Sequence, residues 1–179
     1  MSVSGAPEGT LGTPPGTRTF PAAPLDRLTR GTTGLFLCIL AVASATSTVA
    51  LLERATSATR LLIVPAASAI AAAVWACAPA AYEVGNGQLR VRRRAFGPKT
   101  FVIQGEPKPL DPSALSLTTV RLMGSGGAFG WYGLFWRRDL GRFRAYVTDR
   151  SRLVSVPTDQ GLVVVSPADQ ATFTKVAWR

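Results

Sequence analysis

Two groups of side chains in this chain are spaced to do chemistry. Arg90, Arg92 and Arg94 alternate with Leu89 and Val91, so a strand running through them would set the three guanidiniums on one face. Such a stripe, about ten residues beyond an apolar segment, suits the head groups of an anionic membrane leaflet, where each basic residue contributes about 1 kcal/mol. The same stripe also reads as the solvated outer face of a hairpin. The second group is Phe129, Trp131, Tyr132, Phe135 and Trp136, interleaved with five glycines over residues 124–138 and closed by Arg137 and Arg138. Aromatics beside arginines suit a protein-binding patch or an interfacial belt. Alternatively, Phe135 and Trp131 plug a core and the glycines permit a bulge or a tight bend.

Other chemistry is thin. The 179 residues contain no histidine, which excludes Ser-His and Cys-His nucleophiles and histidine-ligated metals. The carboxylates beyond residue 82 are scattered singly between Glu83 and Asp169, with no pair spaced for shared acid–base work or a metal cage. Lys99, Lys108 and Lys175 fall near turns or on the exposed side of the last helix, against a serine-lysine dyad. The expectation is a non-enzymatic protein without metal or cofactor.

The elements that position these side chains begin with an anchor. Residues 34–52 and 61–79 are two stretches of nineteen residues without a charge, each spanning roughly 28 Å as a helix, close to the thickness of a bilayer core. The eight-residue link 53–60 allows only an antiparallel transmembrane hairpin. Ser44, Thr46, Ser47, Thr48 and Ser68 can bond back to their own helices, and Pro65 falls in the first turn of the second span. Small residues at Ala41 and Ala45, and at Ala43 and Ser47, let one helix approach the other and leave room for homo-oligomers. A cleavable signal fits poorly, because the preceding polar region exceeds thirty residues and a second span follows at once.

Arg18, Arg27 and Arg30 before the hairpin, and Arg90, Arg92, Arg93, Arg94 and Lys99 after it, outnumber Arg54 and Arg60 in the link. That bias predicts a multi-pass protein of the inner cell membrane with both termini cytoplasmic. Cys38 and Cys77 then sit at the cytoplasmic side as small apolar residues rather than as a disulfide.

Residues 1–30, rich in Gly, Pro, Thr and Ala, cannot bury a core and read as a disordered tail. Residues 82–179 can form one small domain, with 15 Lys and Arg against 7 Asp and Glu of the chain's 20 and 10. Extended runs at 82–84 and 88–94 flank Asn86-Gly87, a strong tight-hairpin signal. Further strands are expected at 100–104, 114–122, 143–148, 153–156 and 162–165. Ser166 as an N-cap, Pro167 at the first helical position and Asp169 in the first turn then open a closing helix with Phe173, Val176 and Ala177 at helical spacing.

The run Leu140, Gly141, Arg142, Phe143, Arg144, Ala145, Tyr146, Val147, Thr148, Asp149, the strand from Val154 to the turn at Thr158, and then Val164, Val165, Ser166, Pro167, Ala168, Asp169 and Phe173 resemble the bacterial PH-domain family. This family occurs in membrane-anchored proteins of unassigned role. The likeness implies an α+β membrane protein: a two-helix anchor followed by a mainly-β PH-like barrel of about seven strands with a C-terminal capping helix. It implies no catalytic residue. The expected role is a cytoplasmic module that binds a protein partner at the membrane, with sensing of anionic lipid through the basic stripe as the alternative. Nucleic acid is not an expected partner, since no RNA-binding signature accompanies the aromatics.

Overall fold

The computed structural model describes residues 16–52, 58–116 and 118–177. The tail before residue 16, residues 53–57 of the 53–60 link, residue 117 and the last two residues lie outside the described residues. The chain opens with a short strand, β1 (Arg18–Pro21), followed by two helices, α1 (Arg27–Leu52) and α2 (Ala58–Cys77). Strands β2 (Pro79–Gly85), β3 (Gln88–Arg93), β4 (Lys99–Val102) and β5 (Lys108–Leu110) come next. A single 3-10 turn at Pro112–Leu115 leads to β6 (Val120–Gly126), β7 (Trp131–Arg137), β8 (Gly141–Val147), β9 (Leu153–Thr158) and β10 (Gly161–Val165), and α3 (Gln170–Ala177) closes the domain.

The strands form two sheets, ordered β1-β2-β3-β4 and β5-β9-β10-β8-β7-β6, rather than the one closed barrel of seven strands expected. Two isolated bridges, Ile103 to Thr158 and Ala22 to Pro167, link their margins. Strand β10 lies between β8 and β9, parallel to the first and antiparallel to the second. Period-two burial explains the stacking. Leu89, Val91, Tyr82, Val84 and Phe101 of the small sheet meet Tyr146, Val154, Val156, Val163 and Val165 of the large one, with Phe173 of α3 at the open end. The opposite face of the large sheet buries Phe135, Phe143, Ala145, Val147, Leu153 and Val164 beneath Ala114 and Leu115.

Several local expectations change. The segment read as a strand at 114–122 begins as the 3-10 turn, because Asp111 accepts from the Ser113 amide at 2.7 Å and Pro112 starts the turn; Leu115 is thereby buried. The closing helix is capped by Asp169, whose carboxylate takes the Thr172 amide at 3.0 Å. Ser166 is fully buried instead. Its hydroxyl accepts the amides of Thr148 at 2.8 Å and Asp149 at 3.3 Å. Pro65 lies inside α2 rather than in its first turn, since the helix already starts at Ala58. Asn86 and Gly87 have φ of 51° and 70°, the left-handed pair that a two-residue hairpin turn between β2 and β3 requires.

The described part of the expected tail is ordered. Strand β1 pairs with β2, Phe20 opposite Tyr82, and the Phe20 ring meets Phe173 edge-on at 5.2 Å. The Ala23 amide donates to the Ser166 carbonyl at 2.9 Å, and the Thr148 hydroxyl donates to the Ala23 carbonyl at 2.5 Å. Helices α1 and α2 touch each other. By length and composition, the stretch Arg27–Ser47 is the one described helix long and apolar enough to cross a membrane, with mean hydropathy 1.5. Leu35, Ile39 and Val42 on α1 and Ile70 on α2 are exposed, while the hydroxyls of Ser44, Ser47 and Ser68 bond back to carbonyls one turn earlier.

Candidate functional site

The helices are joined to the domain without a spacer. Asp26 caps α1, taking the Thr29 amide at 2.6 Å, and its second oxygen accepts from Arg150 Nε at 3.0 Å. Partial burial works to raise the Asp26 pKa, but the bonds from Thr29 and Arg150 outweigh it and hold the carboxyl below its usual value. The Arg150 guanidinium also lies over the Trp131 ring, 5.5 Å from its centroid. Thr33 on α1 accepts from the Phe129 amide at 2.9 Å, and Thr32 donates to the Gly127 carbonyl at 2.9 Å. At the other end only Ala78 separates α2 from β2, and the Tyr132 hydroxyl donates to the Val74 carbonyl of α2. Burial pushes that phenol up to about 12.

The aromatic group therefore divides. The glycine- and aromatic-rich segment forms the antiparallel β6–β7 hairpin. Phe129 at its tip has φ of 58° and is buried, as are Tyr132 and Phe135. Trp131 is half-buried, with its indole N–H enclosed and without a hydrogen-bond partner. The glycines serve packing between strands: Gly124 and Gly133 face each other across the pair, both at positive φ, and a Cβ on Gly133 would stand 2.1 Å from the Met123 carbonyl oxygen. Arg137 pairs with Asp139 at 2.7 Å and donates to the Ser113 carbonyl. Trp136 and Arg138 remain exposed.

Trp136 has neighbours that sequence reading passed over. Strand β6 is the edge of the large sheet, and Val120 opposite Trp136 and Met123 opposite Leu134 lie on one face of the hairpin. Val120, Leu122, Met123 and Trp136 are all well exposed, Met123 at 74 %. The alternation Val120-Arg121-Leu122 was visible, but an expected start at residue 114 hid which side faced water.

The arginines also divide. Arg90 and Arg92 project from the same side of β3 toward Glu83, with nitrogen–oxygen distances of 3.8 and 3.5 Å. Glu83 is only 4 % exposed, so these guanidiniums neutralise a buried carboxylate. Arg94 leaves the stripe. A register shift between Pro79 and Ala81 breaks the β2–β3 ladder, and the Arg94 guanidinium lies over Trp75 of α2, 5.6 Å from the ring centroid.

Behind this surface, Tyr82 is fully buried, donating to the Tyr146 carbonyl at 2.6 Å and accepting the Ser166 amide at 3.3 Å. Desolvation pushes its phenol up to about 12 against the pull of the Ser166 bonds. These groups tie strands together and face no open cleft.

Residues 81–177 match the family described as bacterial PH domain. No curated protein and no solved structure matches the chain.

Proposed function

The chain belongs to the bacterial PH-domain family, and from that premise we propose that it is a membrane-anchored, non-enzymatic scaffold whose β6–β7 hairpin receives a protein partner. PH domains are in general non-catalytic binding modules. The observation that carries the reading is the open edge of β6 with Val120, Leu122, Met123 and Trp136 exposed along it. An unpaired edge offers backbone donors and acceptors to an added strand, and the apolar row supplies specificity pockets.

The anchor is α1 together with α2, packed as a hairpin. Charge asymmetry supports a cytoplasmic domain, and the pairing of β1, before the helices, with β2, after them, supports both ends of the hairpin lying on the same side of the membrane. Because the inner ends of both helices are hydrogen-bonded to the domain, the partner would be held at a fixed height and orientation above the bilayer.

The test is a photo-crosslinking residue at Trp136 of the full chain in intact cells, with adducts identified by mass spectrometry. A discrete protein adduct, lost when Val120 and Met123 are changed to Lys, is expected. Lipid adducts alone, or none, would overturn the scaffold reading.

A further inference from the structure

We propose that the corner where α2 passes into the small sheet binds the phosphate of an anionic lipid head group. This rests on the reading of α1 and α2 as a membrane anchor. The corner is built by backbone bonds: the Ala95 amide donates to the Ala76 carbonyl of α2 at 3.1 Å, and the Arg94 amide to the Ala78 carbonyl at 3.0 Å. These bonds occupy the Ala76 carbonyl in the last turn of α2 and the Ala78 carbonyl just beyond it. They also hold the 94–98 connection against the last turn of α2.

A cleft of about 500 Å³ opens there, lined by Arg90, Arg92, Arg93, Arg94 and Phe96 with Glu83 at its base. Glu83 offsets one of the four positive charges, which leaves a net three for a ligand. Two of the guanidiniums are held by aromatic rings. Arg94 stacks on Trp75, and Arg93 lies 5.4 Å from the Phe96 centroid while its Nε and a terminal nitrogen donate to the Gly97 carbonyl at 2.9 and 2.6 Å. Guanidinium groups so preorganised suit the oxygens of a phosphate.

The exposed rings select the source of that phosphate. Trp75 is 44 % and Phe96 49 % exposed; Phe96 lines the cleft, and Trp75, in the last turn of the apolar α2, lies beneath the Arg94 guanidinium that lines it. An exposed aromatic ring in the last turn of an apolar helix, and another lining the cleft beside it, belong at head-group depth. A free anion would make no use of them, whereas a lipid supplies the acyl and glycerol surface they need.

The test uses the full chain in phosphatidylcholine nanodiscs carrying a trace of head-group photoprobe, either phosphatidylglycerol or phosphatidylcholine. Adducts are mapped by peptide. The chain should co-elute with the discs, and the phosphatidylglycerol probe should label the segment from Trp75 to Pro98 at least tenfold more than the neutral one. Arg93→Gln with Arg94→Gln should cut that labelling by about thirtyfold, from about 1 kcal/mol for each basic residue, whereas Arg142→Gln with Lys175→Gln, an equal charge loss elsewhere, should leave it unchanged. Excess inorganic phosphate should not compete.

Equal labelling by both probes, labelling mapped to another segment, or an equal fall in the two double variants would overturn the site. Displacement by phosphate would overturn the lipid as its ligand. Chain that fails to enter the discs would overturn the anchor, and the site with it; co-elution without phosphatidylglycerol preference would overturn the site alone. The wild-type mapping fixes the location whether or not a variant folds.

Discussion

Removing one ring tests whether the domain begins before its helices. Phe20 is 7 % exposed and stands edge-on to Phe173 at 5.2 Å, yet it lies some sixty residues upstream of the family match at 81–177. Truncating a buried Phe to Ala typically costs about 3–5 kcal/mol, and an edge-on pair carries about 0.5–1.5 kcal/mol of aromatic interaction. Phe20 sits at the open end of the core on a four-residue strand, so the low end applies and Phe20→Ala should cost about 3 kcal/mol. For a domain near one hundred residues, each kcal/mol moves Tm by about 4–8 °C, which places the melt about 12–24 °C lower. The assay is thermal unfolding of the full chain in detergent micelles, followed by tryptophan fluorescence. Phe20→Leu, which keeps most of the volume, should cost less than about 1.5 kcal/mol. A Phe20→Ala melt within a degree or two of wild type would refute the reasoning, because β1 would then contribute nothing to the fold.

Asp26→Asn keeps an N-cap but removes the charge that Arg150 and the α1 N-terminus face, and should cost about 1 kcal/mol near neutral pH. Since folding lowers the Asp26 pKa, that contribution is present above the unfolded value of 3.8 and is lost as pH falls through the folded one, so urea melts of variant and wild type should draw together as pH falls below 3.8. Gly133→Ala forces a Cβ to within 2.1 Å of the Met123 carbonyl oxygen at a φ of +130°; a loss of at least about 3 kcal/mol is expected, with hydrogen-exchange protection failing first in β6 and β7. Tyr82→Phe leaves the Tyr146 carbonyl and Ser166 amide without their hydroxyl partner and should cost about 1–3 kcal/mol in the same urea melts. Trp136→Ala, at an exposed position, should change stability by less than about 0.5 kcal/mol while abolishing the proposed partner adduct from a neighbouring probe at Met123.

What was legible in the sequence was local. Asn86-Gly87 announced its turn because few other residue pairs accept two positive φ angles, and Phe173 announced a closing helix by its spacing from Val176 and Ala177. The family likeness between Leu140 and Phe173 also rests on contiguous residues. What escaped depends on partners far along the chain. Phe20 is an isolated apolar residue among breakers, and only β2 makes a strand of its neighbourhood. Gly124 and Gly133 suggested a bulge or a tight bend, whereas they are stacked across one strand pair, where absence of a Cβ permits contact. Ser166 carries the right chemistry for a cap, but its hydroxyl is taken by the Thr148 amide. Arg94 departs from its stripe because of a register shift made by the opposite strand, which period-two reasoning on one strand cannot detect.

The placement of α1 and α2 between two neighbouring strands imposes an order on biosynthesis. Strand β1 leaves the ribosome about sixty residues before its partner β2, a delay of about 3–12 s at ordinary elongation rates. Through that interval it has no sheet to join, and its short length, Arg18 and Pro21 guard it against pairing with a stranger. On the proposed reading, the helices enter the bilayer in the meantime. Pairing of the first strand with the second then becomes a late checkpoint: the small sheet can be completed only after both helices have been made and have returned the chain to the side on which β1 waits.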